Sequence, residues 1–149
     1  MLKNKNIVVT GAGSGIGQAT SLLAASYGAN VLCVDLTDGA DTTAAQIVQA
    51  GGSALAHRAN VAEESEVEGY IGACINAYGS IDGIYANAGV SGGGKSVTEL
   101  TVEDWQRTLG VNTVGVFLAV KHSLKHFLPQ GHGAILCTAS VAGLRANAG

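Results

Sequence analysis

At 149 residues the chain has the size of one domain, with enough length to hide about two thirds of the surface its unfolded form would expose. Only 13% of the residues are charged and 22 are glycine, a balance that suits a sheet covered on both faces and joined by tight turns. A net charge of -3 without a basic cluster argues against nucleic acid and anionic membrane as partners, and no apolar run approaches the ~18 residues of a membrane span. The start, Met1-Leu2-Lys3-Asn4-Lys5, lacks the apolar core of a secretory leader, so a cytoplasmic protein is expected. Cys33, Cys74 and Cys137 fall inside predicted elements and are expected to be buried free thiols in a reducing compartment.

The first strand is predicted over residues 6–10 and the first helix over 15–27, with Gly28 as its stop. Between them lies Thr10-Gly11-Ala12-Gly13-Ser14-Gly15-Ile16-Gly17. A glycine motif gains meaning from that strand–turn–helix context. Gly11 allows a tight turn, the middle glycines keep Cβ atoms away so that backbone N–H groups can approach a pyrophosphate, and Gly17 lets the helix pack close to the sheet. The helix N-terminus adds unpaired N–H groups and about half a positive charge. A flexible loop that precedes a helix is the plainer reading of the same residues.

The second strand, residues 31–34, is a continuous apolar run, as a parallel strand buried on both faces should be, and it ends at Asp35-Leu36. An acid at the carboxyl end of this strand can accept both hydroxyls of an adenosine ribose; a turn or cap residue is the alternative. A 2′-phosphate beside Asp35 would meet like-charge repulsion of up to about 4 kcal/mol at a separation of about 4 Å in a partly solvated site. Ser14 offers no cation to offset it, so NAD is expected in preference to NADP.

A helix follows over 41–50, a strand over 54–59, and then Asn60-Val61. The next helix, 62–78, opens with Glu63, Glu64, Glu66 and Glu68, which suit the positive end of a helix, and carries Val67, Ile71, Cys74 and Ile75 as its buried stripe. A short strand over 83–86 leads to Asn87-Ala88-Gly89. Thr101 is the expected N-cap of one long helix over 102–128, ended by Pro129, with Trp105, Leu109, Val116, Val120 and Leu124 at near-helical spacing. Lys121, His122, Lys125 and His126 are read as cations near its carboxyl end rather than as metal ligands, and no metal site is expected. Asn112, a poor interior helix former, marks a local irregularity or a solvent-facing amide. The last strand, 134–138, is followed by Ala139-Ser140.

The Gly-x-x-x-Gly-x-Gly spacing of Gly11, Gly15 and Gly17 after Thr10 resembles the cofactor fingerprint of the short-chain dehydrogenase/reductase family. Asn87-Ala88-Gly89 after the fourth strand, Asn112 within Gly110-Val111-Asn112, and Ser140 after the fifth strand resemble that family's later motifs, in the same order. The resemblance implies an α/β Rossmann-type fold, a doubly wound parallel sheet of strand order 3-2-1-4-5, with residues 1–149 as one dinucleotide-binding domain. It implies a cofactor, NAD, held by Gly11, Ser14, Gly15, Ile16, Gly17, Asp35, Leu36, Asn60, Val61, Asn87, Ala88 and Gly89. Where the family has an Asp-Val against the adenine this chain has Asn60-Val61, whose amide can both donate and accept. Ser140 would hydrogen-bond the substrate oxygen and Asn112 would hold a water that feeds a proton relay, in an enzyme interconverting a secondary alcohol and a ketone.

The family's catalytic base lies in a Tyr-x-x-x-Lys motif, and none of Tyr27, Tyr70, Tyr78 or Tyr85 has Lys four residues on. The resemblance therefore implies that the fold is incomplete at its C-terminal side and that this 149-residue chain is inactive or nearly so. It also implies an open edge at strand five and a long helix that pairs across a subunit interface, so a homo-oligomer is expected. A non-catalytic NAD-binding or interaction module, or pseudoenzyme, and a flavin-binding doubly wound protein are the alternatives.

Overall fold

The structure, a computed structural model, describes residues 1–144. Strands β1 (Asn6–Thr10), β2 (Asn30–Asp35), β3 (Ser53–Arg58), β4 (Gly83–Ala86) and β5 (Ala134–Cys137) form one parallel sheet in the order β3-β2-β1-β4-β5. Helices α1 (Gly15–Ser26), α2 (Gly39–Gln49), α3 (Glu64–Tyr78), α4 (Val102–Leu109) and α5 (Gly115–Gln130) connect them. The expected fold class and strand order are what the chain adopts.

Alternation along the strands divides the core in two. Val8, Leu32, Val34 and Ile84 point to one face, where Val67, Tyr70, Ile71 and Cys74 of α3 and Leu118 and Phe127 of α5 cover them. Val9, Val31 and Cys33 point to the other, against Ala24 of α1 and Ala40, Ala44 and Ile47 of α2. Coverage on both faces is why the strands read as unbroken apolar runs. Each fully buried Val, Leu or Ile contributes roughly 1.5–3 kcal/mol.

The single long helix expected over 102–128 is instead three pieces. Thr101 caps α4 as expected, accepting from the Asp104 N–H while Asp104 accepts from the Thr101 N–H. A π-helical turn, Gly110–Val114, then separates α4 from α5. The extra residue lets Gly115 press against Val61, where a Cβ would meet the Val61 side chain at 2.9 Å. Helix α5 runs through Pro129 and stops one residue later, before Gly131 at φ 72°. Helix α3 begins at Glu64 rather than at 62, because Asn60 Oδ1 accepts the Ala62 N–H and the Glu66 carboxylate accepts the Asn60 N–H, which together hold a turn there.

Three further expectations are corrected. His122 is buried in the middle of α5, not exposed near its end: its Nε2 lies 2.8 Å from Glu64 and its Nδ1 3.1 Å from Glu68, so it bridges α5 to α3. Lys121 and Lys125 pair with the same two acids, so Glu64 and Glu68 serve this clamp and not only the helix dipole. Cys137 is exposed on β5, an edge strand of the sheet; Cys33 and Cys74 are buried and free. Trp105 and Leu109, set at near-helical spacing on α4, are 61% and 43% exposed. No helix among the described residues is long and apolar enough to cross a membrane.

Candidate functional site

A cleft of about 490 Å³ opens beyond the carboxyl ends of the central strands, on the side where ligands lie in open parallel sheets. Its floor is the turn between β1 and α1. Gly11 has φ 67°, and a Cβ on it would stand 2.9 Å from the Ala88 Cα, so the turn needs both the conformation and the space of glycine. Gly17 sits so close beneath it that a Cβ would strike the Gly11 carbonyl. Gly15, at the mouth, would meet nothing within 4 Å. Ser14 is the N-cap of α1, yet its hydroxyl makes no capping hydrogen bond, so no side chain among the described residues caps the first-turn N–H groups of α1.

Asp35, at the end of β2, faces the same cleft and is already engaged. Its Oδ2 accepts the Gly13 N–H at 2.9 Å, and its Oδ1 accepts the Thr37 N–H and hydroxyl, each at 2.9 Å. The carboxylate therefore splints the glycine turn to β2, with one lone pair, on Oδ2, left for a ligand.

The opposite wall hangs on Thr10. Its hydroxyl accepts the N–H groups of Asn87 and Ala88, at 3.0 and 3.1 Å, and donates to the Tyr85 carbonyl at 3.4 Å. The Asn87 Nδ2 donates to the Thr10 carbonyl at 3.1 Å. These bonds hold the loop after β4 beside the glycine turn. Across from it, Asn112 sits in the π turn: its Nδ2 donates to the Val90 carbonyl and its Oδ1 accepts the Val90 N–H, both at 2.8 Å.

Of the residues singled out in the sequence, Gly11, Ser14, Gly15, Ile16, Asp35, Leu36, Asn60, Val61, Asn87, Ala88 and Gly89 line this one cleft. Gly17 supports it from below. Asn112 fixes the rim through Val90 rather than lining the space. Ser140 stands outside the lining as the N-cap of a 3-10 turn, its hydroxyl accepting the Ala142 N–H at 3.2 Å. Thr37, Ala59, Val90 and Thr138 also line the cleft and carry no motif, and Val111 lines it beside Asn112. Thr138 had one available signal, its place directly after the apolar run of β5. No group of three or more His, Cys, Asp or Glu among the described residues is placed to hold a metal ion.

The family model described as short chain dehydrogenase matches residues 5–149. Cyclohexanol dehydrogenase of Acinetobacter sp. (strain SE19) is 38% identical over 142 residues, which are 95% of this chain and 57% of that protein. The crystal structure of a short chain dehydrogenase/reductase from Burkholderia phymatum in complex with NAD superposes with a TM-score of 0.93 at 34% identity, covering 98% of this chain and 52% of that one. The crystal structure of NAD+-bound xylitol dehydrogenase gives a TM-score of 0.92 at 31% identity, covering 98% and 56%. The chain spans about half the length of the relatives it matches.

Proposed function

This chain belongs to the short chain dehydrogenase family, and we propose that residues 1–149 are the dinucleotide-binding domain of an oxidoreductase that interconverts a secondary alcohol and a ketone with NAD. The observation that carries this reading is the juxtaposition, in one cleft, of the uncapped N-terminus of α1 and the Asp35 carboxylate. The cleft fits the cofactor: at the mouth, the place a Gly15 Cβ would fill is open, and unpaired N–H groups at a helix start suit a diphosphate. Ser14 to Gly17 would hold the diphosphate, Asp35 the adenosine ribose, Leu36 and Asn60-Val61 the adenine, and Asn87-Ala88-Gly89 the inner nucleoside. When bound, the nicotinamide supplies hydride transfer. Relatives with dehydrogenase names and NAD-bound neighbours support the reading.

Ser140 would orient the substrate oxygen through its hydroxyl. Each polar atom of the Asn112 amide has one bond to Val90, which leaves one N–H and one lone pair for the water that the resemblance assigns to it. A Tyr-x-x-x-Lys is not among these residues, so the 149-residue chain by itself is expected to bind cofactor but to turn over slower by about 10²–10⁴. The exposed face that includes Val102, Trp105, Leu109 and Phe117 supports a homo-oligomer, and the three free thiols support a cytoplasmic setting.

Titration calorimetry of the chain with NAD and NADP tests the proposal. NAD is expected to bind at least about tenfold more tightly, from the repulsion between Asp35 and a 2′-phosphate. Equal affinities remove the assignment of Asp35, and no binding of either removes the cofactor reading.

A further inference from the structure

The inner end of the cleft contains a hydroxyl chain that none of the motifs accounts for. Thr138 Oγ1 lies 2.9 Å from Asn87 Oδ1 and 2.9 Å from the Tyr85 hydroxyl. The place of the Thr138 proton follows from chemistry. The Thr10 carbonyl can only accept, so the Asn87 Nδ2 must face it and the Asn87 Oδ1 must face Thr138. Oδ1 can only accept, and the Thr138 hydroxyl is the donor on both of its contacts, so its single proton is held between Asn87 and the Tyr85 hydroxyl. The lone pairs of Thr138 are left over, and of Tyr85 and Thr138 only Thr138 lines the cleft.

We propose that Thr138, locked by Tyr85 and Asn87 into a state that can accept but not donate, is a specificity-determining residue that reads a hydroxyl on the inner nucleoside of the dinucleotide. The proposal rests on the cofactor reading above. That reading puts the adenosine at Asp35 and the diphosphate at the glycine turn, so the inner nucleoside falls among Asn87, Ala88, Val90 and Thr138. A ribose hydroxyl has a proton to give, and Thr138 presents an acceptor whose orientation is fixed before the ligand arrives. Tyr85 is a positioning residue here: it acts through Thr138 and does not itself line the cleft.

The test is calorimetric, on the chain and its variants, with NAD, with AMP, and with an NAD analogue whose nicotinamide ribose lacks its hydroxyls. Thr138→Val is expected to weaken NAD about fivefold, the value of one ordinary hydrogen bond, and to leave AMP within about twofold. Thr138→Ser, which keeps the hydroxyl, should restore NAD binding; Tyr85→Phe, which only unlocks it, should lose less. The wild-type chain should prefer NAD to the deoxygenated analogue, and Thr138→Val should erase that preference. If Thr138→Val weakens NAD and AMP alike, or keeps the preference, Thr138 is a structural residue and the inference fails while the cofactor reading stands. If Thr138→Val does not fold, the preference for NAD over the analogue in Thr138→Ser and its decline in Tyr85→Phe decide the matter. If the wild-type chain binds neither NAD nor AMP, the cofactor reading fails and takes this one with it.

Discussion

Asp35 Oδ2 accepts the backbone N–H of Gly13 at 2.9 Å, so the acid at the end of β2 is part of the glycine turn before any ligand is present. Asp35→Ala is therefore expected to lower the stability of the ligand-free chain by about 1–3 kcal/mol, through the lost bonds to Gly13 and Thr37. Urea unfolding without nucleotide measures this. An unchanged midpoint would mean that Asp35 waits only for a ligand and does not shape the turn.

Two glycines of one motif should respond in opposite degree to the same substitution. A Cβ on Gly17 would strike the Gly11 carbonyl, which is backbone and cannot swing away, whereas one on Gly15 would meet open space. Gly17→Ala is expected to cost about 3 kcal/mol, the upper end for overpacking. Gly15→Ala should cost about 1–2 kcal/mol, from its φ of 52° alone. Thermal melts of the two variants side by side check the order, and a Gly15→Ala variant less stable than Gly17→Ala would contradict the packing argument.

These contrasts show what the sequence could and could not reveal. Strands β1 and β4 have the bounds expected of them, Asn6–Thr10 and Gly83–Ala86, because each is an apolar run closed by a glycine or asparagine turn. Most of the expected cofactor contacts share one cleft because parallel strands deliver their carboxyl ends to one edge of the sheet. The π turn was legible only as a local irregularity at Asn112; that it shifts the register between α4 and α5 was not, because that depends on Gly115 meeting Val61, a contact distant in sequence. His122 was misread for the same reason, since its partners Glu64 and Glu68 lie on another helix. Thr138 carries no motif, and its contacts with Tyr85 and Asn87 appear only in space.

The clamp between α3 and α5 should make stability depend on acid. Hydrogen bonds from Lys121 and His122 hold the Glu64 carboxyl below its ordinary value of 4.5, and Lys125 does the same for Glu68. A carboxyl depressed in the folded chain contributes stability above its unfolded value, and that contribution fades as pH falls through the folded one. Stability should therefore decline below about pH 4.5, and the double variant Glu64→Gln with Glu68→Gln should show a shallower decline over the same window. Both acids are exposed on one side, so the effect should also shrink in high salt. Parallel acid titrations of urea midpoints, in which wild type and variant trace the same slope, would remove the clamp from the account.

The three thiols should separate by reactivity. Burial pushes Cys33 up to about 11, partly offset by a hydrogen bond with Ser21, and pushes Cys74 up to about 12, with Asp82 adding to the rise. At about pH 8 roughly one Cys33 in a thousand would be thiolate, and the thiolate is the reacting form. Alkylation of the folded chain, followed by peptide mass mapping, should mark Cys137 on the exposed outer strand and leave Cys33 and Cys74 unmodified until denaturant is added. The same burial sets an alkaline limit. A thiol whose folded value is raised contributes stability below its ordinary value of 9.0, and the contribution is lost as pH rises toward the folded value. Unfolding midpoints should fall above about pH 9, and Cys33→Ala with Cys74→Ala should remove part of that slope at some cost in packing. Rapid labelling of Cys33 in the folded chain would show that the sheet opens on the α1 and α2 side far more readily than its packing predicts.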